Sequence, residues 1–202
     1  MNHRLSVIVL GSLLVLVQFT ANFAVAQASS TRSRGRLTPG VVLSGKSGTL
    51  FDTAIFYGQS EASADPNVGN QYRNNNTVFD IKLGYVFQPG IYLGGEYAIR
   101  NYSYTNGTDT GYASAIGLGH FWNNGFNFRA YYRFNESIGS YGDGTGYQMD
   151  LQYMTNMSSD FYIGVLVSHR QTTFKSNTWI SGFNEWTYRA TNPAVTLGFL
   201  IR

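Results

Sequence analysis

Thr77-Val78-Phe79-Asp80-Ile81-Lys82-Leu83-Gly84-Tyr85-Val86-Phe87 runs into Gln88-Pro89-Gly90 and then into Ile91-Tyr92-Leu93-Gly94-Gly95-Glu96-Tyr97-Ala98-Ile99-Arg100. In the first run Thr77, Phe79, Ile81, Leu83, Tyr85 and Phe87 share one face of an extended chain. Val78, Asp80, Lys82, Gly84 and Val86 share the other. A period of two is the signature of a strand, and Pro-Gly between two such runs marks a tight turn. In the second run Ile91, Leu93, Gly95, Tyr97 and Ile99 oppose Gly94, Glu96, Ala98 and Arg100. Every charge in this hairpin sits on one face.

The same rule holds further along. Phe126, Phe128, Ala130, Tyr132 and Phe134 oppose Asn127, Arg129, Tyr131 and Arg133; Tyr147, Met149, Leu151 and Tyr153 oppose Gln148, Asp150 and Gln152. Phe161, Ile163, Val165 and Val167 oppose Gly164, Ser168 and Arg170, and the last strand sets Val195, Leu197, Phe199 and Ile201 against Thr196 and Gly198. Two weaker strands, 49–58 and 111–122, place Phe51, Ile55, Tyr57, Ile116, Leu118 and Trp122 on the apolar face, with Asp52, Ala54, Ala113, Ala115, Gly117 and Gly119 behind. The connections at 88–90, 123–125 and 156–160 read as short, and those at 59–76, 104–110, 136–146 and 172–185 as long and polar. Three short and four long connections join eight strands. That alternation predicts an all-β fold: an eight-stranded, antiparallel, up-and-down transmembrane β-barrel with both termini on the short-turn side.

The N-terminus supplies the compartment. His3 and Arg4 precede an apolar run, Leu5 to Val17, and Ala24-Val25-Ala26 follows as a small-residue cleavage site. Thirteen residues (5–17) are too few for a transmembrane helix, which needs about 20. Residues 1–26 therefore read as a signal peptide, 27–47 as a flexible basic periplasmic leader, and 48–202 as the barrel. The formal charge of +3 owes its sign to Arg4 in the signal segment and to Arg32, Arg34, Arg36 and Lys46 in that leader; from Gly48 onward nine Lys or Arg meet eleven Asp or Glu. A basic leader on an acidic body is no nucleic-acid footprint, and no nucleic-acid partner is expected. Cysteine is absent, which excludes disulfides and thiolate sites. Charged residues are 12% and aromatics 16% of the chain.

Alternation alone also fits a soluble sandwich, whose apolar face points inward. Aromatic residues near both ends of the apolar rows match an interface girdle instead, and a polar face rich in Gly and Ala suits a crowded lumen. On its topology, girdle and terminal strand, from about Gly48 to Arg202, the chain resembles the small eight-stranded OmpA/OmpX-type outer-membrane barrels. Thr196, Gly198 and Ile201 match the assembly signal of such barrels, whereas Arg202 stands where they carry an aromatic. The resemblance implies a monomer in the outer membrane of a Gram-negative bacterium. It implies outer-membrane lipid and the barrel-assembly machinery as partners, with no peptidoglycan-anchoring domain.

Inside the barrel, the 88–90 turn sets a register. If Phe87 faces Ile91, then Lys82 faces Glu96, and Asp80 lies diagonal to Arg100, within reach. Asp52, Asp80, Glu96 and Asp150 then share the lumen with Lys82, Arg100, Arg129, Arg133 and Arg170. An eight-stranded bore is just wide enough for side chains to fill. A fixed, salt-bridged plug is expected there, in preference to a gate in which Lys82 swaps partners. Enzymatic activity is not expected: Ser168 and His169 point to opposite sides of their strand, and His120 lies at the short-turn end. No cofactor or metal is expected, since the loop acids are singletons and Asp143-Gly144-Thr145-Gly146 reads as turn chemistry.

The long loops are the expected working surface, for an extracellular ligand or surface, with Tyr72, Tyr104, Tyr141, Trp179 and Phe183 as contact candidates. Tyr102, Trp186 and Tyr188 read equally as loop contacts or as girdle. The function expected is structural or surface contact. The alternatives are a narrow channel or conduit for small apolar molecules, served by a lateral opening near Pro193 at the start of the last strand, and an outer-leaflet lipid-modifying enzyme.

Overall fold

The computed structural model describes residues 47–62, 72–104, 107–156, 160–182 and 184–201, with backbone alone at 58–62, 72–75 and 104. The segments read as signal peptide and leader lie outside these residues apart from Ser47. The strands are β1 (Gly48–Ala62), β2 (Tyr72–Phe87), β3 (Ile91–Tyr104), β4 (Gly107–Phe121), β5 (Phe126–Ile138), β6 (Tyr141–Asn156), β7 (Phe161–Phe174), the two-residue β8 (Ser176–Asn177) and β9 (Trp186–Ile201). Each long strand pairs antiparallel with its neighbours in sequence, and β1 pairs with β9 to close the ring. This is an eight-stranded, up-and-down, closed barrel, as the alternation predicted.

The predicted register holds. Phe87 faces Ile91 and Lys82 faces Glu96 across β2 and β3. The outward rows are apolar: Leu83, Leu93, Ile116, Leu118, Leu151 and Val195 are each more than half exposed. Outward aromatic pairs rim this belt. Phe126–Tyr153 and Phe161–Phe199 (both 4.9 Å between centroids) lie toward the short turns, and Tyr97–Tyr112 (6.3 Å) toward the other end.

The long loops are shorter than composition suggested. Pairing continues to Ala62↔Tyr72, to Tyr104↔Gly107 and to Ile138↔Tyr141. The stretches 59–62, 72–76, 107–110 and 141–146 are thus strand, and Asp143 to Gly146 belongs to β6 rather than to a turn. Alternation vanishes there because outward positions beyond the apolar belt need no apolar residue, while the hydrogen-bond ladder needs no particular side chain. The last strand likewise begins at Trp186, which puts Pro193 in mid-strand.

Inner glycines make room for inner tyrosines. A Cβ added at Gly84 or Gly94 would run into the Tyr92 ring, and one at Gly198 into the Tyr162 ring. Tyr92 and Tyr162 are both fully buried. With Leu50, Val86, Phe121, Met154 and Leu200 they form an apolar floor at the short-turn end. At the opposite end Tyr102, Ile138, Phe174, Tyr188 and Ala190 form a second apolar layer, covered by Tyr141 and Trp186. The charged residues lie between.

Candidate functional site

Two rows of inward side chains on β2 and β3 start the network. Lys82 donates to Asp150 across the barrel at 2.6 Å and lies 3.5 Å from Glu96 and 4.0 Å from Asp80. Gln148 donates to Glu96 (2.6 Å), tying it to β6, and to its own strand's Asp150 (3.0 Å). Arg133 donates to Glu96 (2.8 Å) and Glu136 (2.9 Å), and also reaches Gln148. Nearer the floor, Arg129 pairs with Asp52 at 2.8 Å and donates to Gln152 at 2.7 Å, with its guanidinium over the Tyr92 ring. Gln152 passes the chain on to Thr196 at 2.6 Å.

All nine lumen charges expected from the sequence face inward, and none is more than 5% exposed. One pairing differs. Arg100 does not meet Asp80; it donates to Glu136 at 2.5 Å, while Asp80 is held by Arg170. The reason lies in β5, where Asn135 adopts a left-handed φ of 53° and the register shifts between Arg133 and Glu136. This bulge flips the parity of the strand, so that Glu136 follows Arg133 into the lumen. Glu136 was placed in a loop by composition. It is 1% exposed and accepts from Arg100, Arg133 and Thr172. Asparagine tolerates the left-handed region, so Asn135 was the one available sign of the bulge.

Glu136 brings the lumen to five acids and five bases, each acid within 4.0 Å of a base. Such pairing is the condition under which buried charges persist, because an unpaired one would lose its hydration with nothing in return. The arrangement fills the bore from floor to aromatic cap and leaves the charges no contact with bulk solvent. Chemically it can hold the wall rigid and block passage.

The loop candidates fare differently. Trp179 is 81% exposed at the tip between β8 and β9, beside Ile180 at 52%. Tyr141 is no free contact: it opens β6 and packs on Trp186 (4.5 Å) and Phe174 (6.1 Å). Tyr102 and Tyr188 are neither girdle nor contact, for both are buried inside and meet edge to face at 5.8 Å. Phe183 and the side chains of Tyr72 and Tyr104 lie outside the described residues. Ser168 is buried and faces the lumen, whereas His169 sits on the outer face, 2.8 Å from the Thr191 hydroxyl.

The class defined by these observations is a closed eight-stranded barrel with an ion-paired interior and an apolar exterior. No family model matches the chain, and no curated protein matches it in sequence.

Proposed function

We propose that the protein is an integral outer-membrane barrel of a Gram-negative bacterium, sealed through its length, with a structural or surface-contact role at its long-loop end. One observation carries this reading. The outward rows are apolar and half exposed while ten charges are buried inside, an inside-out arrangement that hydrocarbon stabilises and water does not. Long strands of 13–16 residues exceed the roughly 10 that cross a bilayer, so the hairpins project beyond it. Trp179 and Ile180, held away from the wall, are the natural contact for an outside partner. The protein works as a monomer without catalysis, folded in place by the barrel-assembly machinery.

Purified protein refolded into phosphatidylcholine vesicles should migrate faster unheated than boiled on a denaturing gel. A single unshifted band would end the reading. In planar bilayers the same preparation should give no steady single-channel current, and Glu96→Gln should leave that unchanged. Stepwise openings in the parent that Glu96→Gln alters would turn the plug into a gate.

A further inference from the structure

Seven of the eight seams between long strands are neighbour-in-sequence hairpins or their equivalents; the eighth, between β1 and β9, closes the ring and is the weak one. Its register runs from Thr49↔Ile201 to Ile55↔Val195 and stops. Both strands go on, β1 to Ala62 against β2 and β9 back to Trp186 against β7. Continuing the seam would set Phe56 against Ala194 and Tyr57 against Pro193, and among the described residues neither pair forms.

The sequence explains the stop. The Leu200 amide donates to the Asp160 carbonyl on the β7 side (2.8 Å), and the Leu197 carbonyl accepts from the Thr53 hydroxyl on the β1 side (3.3 Å). Even-numbered residues of β9 therefore aim their backbone groups at β7 and odd-numbered ones at β1. Pro193 is odd. The N–H it lacks is the one that would have crossed to β1.

Outside the unpaired stretch lie Tyr57, 74% exposed, Ile55 and Val195, each 54% exposed, and Pro193. These form the last apolar row of the belt before Thr191 and Arg189. Inside lie Phe56, Val78 and Ala190, all buried, and Asn192 at 3% exposure. Among the described residues neither Oδ1 nor Nδ2 of Asn192 has a hydrogen-bond partner. Such a group is costly to leave unmet, since a buried amide loses its water without compensation. Above, the Asn76 amide reaches over to the Tyr188 hydroxyl at 3.3 Å and bounds the stretch on its inner side.

We propose that this seam admits a single-chain membrane amphiphile from the outer leaflet, its alkyl chain lodged between Tyr57 and Pro193 and its small uncharged head on the Asn192 amide. Three features select that occupant. Apolar side chains on both sides of the wall match a hydrocarbon chain. An amide with donor and acceptor both free matches a hydroxyl or carboxamide head. Charge is disfavoured because the lumen's five acids and five bases already balance. Entry needs only the parting of packed side chains, because no ladder bond closes the wall there. The inference rests on the membrane reading above.

The test uses a hexadecanol carrying a diazirine in its chain, in phosphatidylcholine vesicles holding the folded protein. Photolysis should concentrate label on the peptides carrying Phe56 and Ala190 to Ala194. Asn192→Leu should cut that labelling about five- to tenfold, the loss of one or two hydrogen bonds. The chain has no native cysteine, so oxidising Phe56→Cys/Ala194→Cys, a pair that keeps Tyr57 and Pro193, should staple the seam and abolish the label, and reduction should restore it. Label spread evenly over the outward rows, or unchanged by the staple, overturns the proposal. So does a disulfide-linked dimer of the Tyr57→Cys single variant, which would make the seam a pairing edge for a second copy. Each variant is scored first for heat-modifiable migration. A barrel that folds in vesicles but takes no label at the seam defeats this inference alone, whereas failure of the parent to fold there defeats the membrane reading.

Discussion

Glu136→Ala should cost the barrel about 3–5 kcal/mol, the usual penalty for stripping one partner from a buried ion pair. The carboxylate receives Arg100 at 2.5 Å, Arg133 at 2.9 Å and the Thr172 hydroxyl at 2.8 Å. Arg100 would keep only its 3.3 Å bond to the Tyr102 hydroxyl. Urea unfolding of the vesicle-bound barrel, followed by gel migration, measures the loss as a lowered midpoint. Glu136→Met combined with Arg100→Met should recover part of it, since an apolar pair of similar size removes both charges together. A single variant within about 1 kcal/mol of the parent would show that the upper half of the network is solvated and not a plug.

Leu118→Arg should cost about 2–4 kcal/mol in a bilayer. Leu118 is 66% exposed, midway along the outward row of β4 between Tyr112 at one rim and Trp122 at the other, opposite Leu93 and Ala130. On a soluble barrel an exposed arginine at this place would change stability by no more than about 0.5 kcal/mol. The same unfolding measurement thus reads out what surrounds the belt. A neutral result would move the protein from hydrocarbon into water and remove the proposed function with it.

The hairpin of β2 and β3 was legible to the residue because its turn fixes the register and the alternation fixes the faces. Nothing local, by contrast, pairs Lys82 with Asp150, 68 positions away. That contact depends on which strands face each other across the closed ring, and closure is a global property. Polar sequence was also misread as loop. The ladder of β5 and β6 persists to Ile138↔Tyr141 through residues with no apolar period, since period reports what a face touches and not whether the backbone is paired. Tyr102 and Tyr188 were hidden for a related reason: beyond the belt an aromatic is as welcome inside the barrel as outside. The bulge at Asn135 is the sharpest case. One residue in a left-handed conformation reverses every later face of its strand, and with it the role of Glu136.

The short β8 does not hang freely above the barrel. Lys175 N–H donates to Gly142 (3.3 Å) and Thr178 N–H to Ser140 (2.9 Å), latching the segment to the β6 hairpin before the chain turns out beyond Thr178, where the Asn177 side chain caps the amides of Trp179 and Ile180. On the far side the chain is gripped again from Trp186, opposite Phe174. Protease applied to intact cells should therefore be able to clip the backbone between Trp179 and Gly182 without releasing either fragment, leaving a nicked but seated barrel. Such a nick would break the Trp179 tip while sparing the wall, separating the proposed surface contact from the architecture without a single mutation.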